Sequence, residues 1–234
     1  MKPNHLKVLA IFARAPQPGK VKSRLAQSIG AQNAVQCYAA FLRDTFDLAK
    51  QIEGARDDCQ TIVAFTPQDA FEPNQHSLRD FWNGEKMPQR GDDLGARMAN
   101  CIAELHLRGF ERVVLIGSDS PDLPLEFIAR AFVGLEKNAL VFGPARDGGF
   151  YLVGCTKQYS GNLSALFEGV SWSDENTLRE VLENAKRLKI KTQLLPEWSD
   201  VDTLEDLENL AQRLKSEYCF AGETRRWLDS QNIF

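Results

Sequence analysis

Four cations lie within eleven residues of this 234-residue chain: Arg14, Lys20, Lys22 and Arg24, in the stretch RAPQPGKVKSR. Pro16, Pro18 and Gly19 exclude regular structure there and compact the loop. A charged loop is often only a solvated one. This loop follows an apolar run and precedes a helix, so cationic side chains and helix N-terminal amides converge where a phosphate or diphosphate binds. A second group closes the run Val113–Ile116, as Gly117-Ser118-Asp119-Ser120-Pro121-Asp122. Carboxylates at the carboxyl end of a strand suit a divalent cation, which takes oxygen ligands. Asp119, the first acid off the strand, is read as that ligand; Asp122, two residues before Pro124, is read as a turn or helix cap. A third group, Gly143–Gly149 (GPARDGG), puts Asp147 at the lip of a turn. Its Asp-Gly pair also favours a tight turn with positive φ, and the two readings are compatible. A cationic loop facing a carboxylate-held metal is the equipment of diphosphate chemistry, because both neutralise charge that builds on a leaving phosphate.

The elements that must position these groups follow from the hydrophobic pattern. Leu6–Ala13, Cys59–Phe65, Val113–Ile116, Ala139–Phe142, Phe150–Cys155 and Lys191–Leu195 read as strands, with a short one at Met87–Gln89. Helical periodicity covers Ala31–Gln51, Leu94–Arg108, Leu125–Lys137, a stretch from about Asp174 to Leu188, and Leu204–Leu214. The tail Glu217–Phe234 has room for one more short amphipathic helix. Asp92 or Asp93 caps the helix at Leu94, Ser173 or Asp174 the next but one, and Asp202 or Thr203 the helix at Leu204. Trp172 reads first as a staple residue before its helix. Strands alternating with helices imply an α/β fold, a three-layer α/β/α sandwich around a mostly parallel central sheet. The basic, acidic and Gly-rich loops then meet at one edge of that sheet.

Composition narrows the classes. With 43% hydrophobic residues, the whole chain, 1–234, is expected to form one domain. A net charge of −4 excludes a general nucleic-acid binder, which needs a basic field. No apolar run is long enough to span a membrane, and Val8–Ala13 is too short for a signal peptide. Five scattered cysteines without CxxC spacing and three scattered histidines (His5, His76, His106) argue for reduced thiols in a cytoplasm, not a disulfide frame or a zinc site. Neither GxxxxGK[ST] nor GxGxxG is present, which excludes a P-loop and a dinucleotide fingerprint.

FARAPQPGKVKSRLA, GDDLGARM, GSDSPDLP, GPARDGGFYLVG, WS and DVDT occur in that order over nearly the whole chain. Together they resemble the small glycosyltransferase-like proteins grouped as DUF2064, some of which are assigned to arsenosugar biosynthesis. That resemblance implies a GT-A (nucleotide-diphospho-sugar transferase) fold. A more distant likeness, through VKSRL and PDLP, is to guanylyltransferases. On this resemblance Ala13, Arg14, Gly19, Lys20, Lys22 and Arg24 form the nucleotide diphosphate loop, and Gly91, Asp92 and Asp93 lie near the base or ribose. Asp119 matches the metal-binding acid, Mg²⁺ or Mn²⁺ being the implied cofactor. Ser118-Asp119-Ser120 is not a full Asp-x-Asp, so Asp202 or Asp200 is the candidate second ligand. Asp147 is the candidate base and Lys22 a second catalytic candidate; Gly148, Gly149, Tyr151 and Trp172 are candidates for the acceptor or sugar side. The implied activity is transfer of a sugar from a nucleotide sugar to a small-molecule acceptor. The alternative is nucleotidyl transfer from an NTP to a phosphorylated metabolite, and the third reading is binding without catalysis. Phe12-Ala13-Arg14-Ala15 stands where many sugar nucleotidyltransferases have a Gly-rich loop, which ranks glycosyl transfer first.

Overall fold

A computed structural model of the chain describes residues 6–55, 58–172, 175–215 and 220–231. Seven strands form one sheet: β1 (Lys7–Arg14), β2 (Cys59–Thr66), β3 (Lys86–Pro88), β4 (Arg112–Ile116), β5 (Leu140–Pro144), β6 (Phe150–Thr156) and β7 (Thr192–Leu194). Their order across the sheet is β3-β2-β1-β4-β6-β5-β7. Every neighbouring pair is parallel except the two that β6 makes, antiparallel to β4 and to β5. The mostly parallel α/β sandwich read from the sequence is therefore the observed one.

The strands alternate because each face of the sheet is covered. Leu9, Ile11, Val114 and Ile116 point into one core with helices α1 (Ser23–Ile29), α2 (Ala31–Ala55), α4 (Leu125–Gly134), α7 (Leu204–Arg213) and α8 (Gly222–Ser230). Val8, Ala10, Val113 and Leu115 point into the other, with α3 (Leu94–Leu107), α5 (Leu163–Leu166) and α6 (Thr177–Arg187). Phe41, Phe46, Phe132 and Phe142 are fully buried, each contributing about 1.5–3 kcal/mol of burial.

Register places the loops. Ile11 sits opposite Val63 on one side and Ile116 on the other, and Ile116 opposite Leu152. The carboxyl ends of β1, β2, β4 and β5 and the start of β6 therefore share one edge, where open α/β sheets hold their ligands.

Several local expectations need correcting. α1 was not anticipated; it starts inside the cationic stretch. Asp122 caps nothing: α4 begins after Pro124 with no side-chain cap. Asp122 is instead buried, accepting from Arg213 Nε at 2.7 Å and from Trp198 Nε1 at 3.3 Å. Asp93 does cap α3, accepting from Ala96 N at 2.7 Å. Thr203 caps α7 in a reciprocal box with Asp206. Ser173 and Asp174 lie outside the described residues, and α6 opens only at Thr177. Cys219 and His5 are also outside them, while Cys37, Cys59, Cys101 and Cys155 are buried thiols without a disulfide. No described helix is long and apolar enough to cross a membrane.

Candidate active site

At the shared edge, two hollows meet at Phe12, Leu94, Asp119 and Asp202. One, of about 410 Å³, is lined by Ala13, Arg14, Lys20, Lys22, Arg24 and Arg97, together with Tyr38, Thr66, Gln89 and Ser118. The other, of about 320 Å³, is lined by the aromatic and aliphatic side chains Phe12, Leu94, Met98, Phe150, Tyr151 and Trp172, and by Asp119, Asp147, Asp200 and Asp202. The cations line the first hollow, Asp147 and Asp200 the second, and Asp119 and Asp202 stand at the seam between them.

Lys22 joins the halves. Its side chain, 2% exposed, pairs with Asp119 and, at 3.0 Å, with Asp202. Burial opposes its charge, yet the two carboxylates hold its pKa above the usual lysine value, so the ammonium is permanent. By contrast Arg14, Lys20, Arg24 and Arg97 have no ion-pair partner among the described residues. The Arg14 guanidinium donates to Lys20 O at 2.9 Å and that of Arg97 to Gly91 O at 2.9 Å, both backbone carbonyls that fix the side chain without neutralising it. Four unneutralised cations around one hollow are set for a polyanion.

The loops are held by one another rather than by solvent. Arg14 N donates to Tyr38 Oη at 3.1 Å, and that hydroxyl shares a buried hydrogen bond of 2.8 Å with Ser118 Oγ, so α2 ties the basic loop to the acidic one. Val201 N donates to Asp119 O at 3.0 Å and Ser120 Oγ to Asp200 Oδ1 at 2.5 Å, which strap the loop after β7 to the same turn. Arg146 N donates to Trp198 O at 3.1 Å, adding the Gly-rich loop. Burial, the Asp119 charge and the Asp147 charge raise the Asp200 pKa to about 7, with Ser120 and Lys22 opposing.

Among the described residues no three or more His, Cys, Asp or Glu side chains form a complete metal cage. Asp119 and Asp202, each about half exposed on the hollow, do offer two hard carboxylate donors. That set fits Mg²⁺ or Mn²⁺, which are commonly held by one or two carboxylates with substrate phosphates completing the shell.

Of the residues singled out in the sequence, Ala13, Arg14, Lys20, Lys22, Arg24, Asp119, Asp147, Gly149, Tyr151, Trp172, Asp200 and Asp202 line these hollows. Gly19, Gly91, Asp92 and Asp93 do not line either of them. Gly148 (φ +89) faces the other way, where an added Cβ would lie 2.0 Å from Glu175 O. Tyr151 contributes ring only, its hydroxyl being committed to Pro196 O at 2.9 Å. Phe12, Leu94, Met98, Arg97 and Phe150 were not anticipated. For Arg97 a signal existed, since it lies in the first turn of α3 beside the Asp93 cap.

The architecture is that of the nucleotide-diphospho-sugar transferase fold. A crystal structure of a Desulfovibrio desulfuricans G20 protein, assigned as a nucleotide-diphospho-sugar transferase, is 31% identical and superimposes with a TM-score of 0.84 over 95% of this chain and 94% of that one. Residues 50–174 match the family described as "uncharacterized protein conserved in bacteria (DUF2064)", and the chain belongs to that family. The CMP:2-keto-3-deoxy-manno-octonic acid synthetase complexed with CTP is similar at 14% identity and a TM-score of 0.57, over 89% of this chain and 98% of that one. Rv0371c of Mycobacterium tuberculosis H37Rv, in complex with manganese, is similar at 17% identity and a TM-score of 0.52, over 88% and 98%. These last two share the fold alone. No curated protein matches the sequence.

Proposed function

We propose that this protein is a transferase acting on a nucleotide substrate, and specifically that it moves a sugar from a nucleoside diphosphate sugar to a small acceptor. The observation that carries the reading is the charge-split slot: Arg14, Lys20, Arg24 and Arg97 around one hollow, and Asp119, Asp147, Asp200 and Asp202 around its partly apolar neighbour. The diphosphate lies in the cationic hollow, and its reacting end reaches the junction at Lys22 and Asp119. Lys22 contributes a permanent positive charge where the leaving diphosphate gains negative charge. Asp147, on the far side of the junction, takes the acceptor proton. Asp119 and Asp202 would hold a divalent cation, which when bound neutralises leaving-group charge. The relative from Desulfovibrio desulfuricans supports the donor class. We propose further that residues 1–234 act as one domain, since both cores share the sheet, and that the buried thiols serve in a reducing compartment such as the cytoplasm.

Four unneutralised cations also suit a triphosphate, so nucleotidyl transfer is the second reading. Incubating the protein with nucleotide sugars or NTPs, candidate acceptors and Mg²⁺ or Mn²⁺ separates them. Nucleoside diphosphate release is the expected outcome, falling by about 100-fold or more in Asp119→Asn. Pyrophosphate release would replace the first reading by the second, and turnover of no donor would reject both.

A further inference from the structure

The hollow beyond Asp119 is unusual in what it lacks. Among the described residues, no lysine, arginine or histidine lines it. Its walls are the rings of Phe12, Phe150 and Trp172 and the side chains of Leu94, Met98 and Leu123. Its side-chain hydroxyl donors are committed elsewhere: Ser120 donates to Asp200, Thr177 to Ser171 O at 2.7 Å, and Tyr151 to Pro196 O at 2.9 Å. Apart from the Trp172 indole, the polar side chains left facing it are carboxylates: Asp147, which has no ion-pair partner among the described residues, Asp200, and Asp119 and Asp202, which Lys22 pairs from the other hollow.

Among the described residues, the neighbouring hollow along the last loop offers no free cation of its own. Arg213 is forked onto Asp122 there, and Arg146 pairs with Glu197 at 3.4 Å. Its remaining cation, Arg24, also lines the phosphate side.

A guest in such a place must donate hydrogen bonds and present an apolar face. A phosphate or carboxylate would be desolvated against rings and set beside carboxylates of its own sign. We infer that the second substrate is an uncharged, hydroxyl-bearing molecule with an apolar face, and that phosphorylated or carboxylated acceptors are excluded. The inference rests on the proposed placement of the diphosphate in the cationic hollow and deepens it by naming the acceptor class.

The test uses three probes that differ in one group: phenyl β-glucoside, its 6-phosphate and phenyl β-glucuronide. Each is titrated into the full chain with Mg²⁺ and inorganic diphosphate filling the cationic hollow, and binding is read by calorimetry and by Trp172 fluorescence, with Trp172→Phe assigning the signal. The glucoside binds, and its two anionic relatives bind at least about tenfold more weakly. Asp147→Asn narrows that gap. The inference is overturned if either anionic probe binds as well as the glucoside, if none of the three binds, or if Asp147→Asn leaves the gap unchanged. Product analysis keeps this separate from the reaction type. Pyrophosphate released with an uncharged acceptor would remove the glycosyl reading and leave this inference standing. A nucleoside diphosphate released with a phosphorylated acceptor would do the reverse.

Discussion

Lys22 carries three local costs. Its φ of 47° is left-handed for a residue with a Cβ, its charge stands at the start of α1 where a helix favours anions, and its side chain is desolvated. The Asp119 and Asp202 carboxylates offset them. Nothing local could announce this, because Asp202 is 180 residues away; the sequence shows a lysine in a basic loop and leaves its partner unnamed. Asp122 was misread for the same reason, its Arg213 lying 91 residues on. Asp200 makes the testable case at this scale. Burial and the Asp119 charge lift its folded pKa from the ordinary carboxylate value to about 7. A group raised on folding favours the folded state fully below its unfolded pKa, and that contribution is lost as pH rises through the folded one. Stability should therefore decline between pH 4 and 7 in proportion to this titration. Asp200→Asn, which stays neutral, should unfold at a higher temperature than the parent at pH 8 and gain nothing at pH 4. Thermal melts at the two pH values check it; an equal shift at both would remove the assigned cause.

Among the elements, strands and long helices were readable from pattern: β1 and β4 as short unbroken apolar runs buried on both faces, α2 and α3 as helical stripes. The seven-residue α1 was not, since only Leu25 is buried and its cap position is a lysine. The apolar half of the site was hidden differently. Phe12, Leu94 and Met98 fit the core pattern of their elements, and only the packing shows that they stop short of a neighbour and line a hollow. Trp172 is held there by α3: a Cβ on Gly95 would fall 2.5 Å from Trp172 Cζ2 and 2.9 Å from Phe167 Cβ. Gly95 permits this contact, so Gly95→Ala should push the indole off the wall. The expected cost is about 1–3 kcal/mol of stability, as for overpacking elsewhere. Phenyl β-glucoside binding should weaken, while inorganic diphosphate binding stays near the parent value. Urea unfolding and two separate titrations check the split; parallel losses in both would mean that α3, and not Trp172, had moved.

At the scale of the whole molecule, the chain is acidic, at −4, yet gathers four unneutralised cations on one rim. A negative body with a positive mouth repels polyanions elsewhere and draws them to one approach, which is a long-range effect and is screened by salt. The neighbouring apolar hollow works by contact and burial, which salt scarcely touches. The two halves should therefore respond oppositely. Affinity for nucleoside polyphosphates should rank triphosphate above diphosphate above monophosphate, and should fall by about tenfold or more between 20 and 500 mM NaCl. Phenyl β-glucoside should bind nearly equally across that range. Lys20→Glu combined with Arg24→Glu should flatten the salt dependence and reduce polyphosphate affinity. Lys50→Glu, on an exposed part of α2 where Lys50 pairs with Asp47, changes the net charge by the same amount per residue and should leave both nearly as they were. A loss per residue changed as large in Lys50→Glu as in the rim pair would assign the attraction to total charge instead of to the rim, and the diphosphate would lose its place beside Lys22.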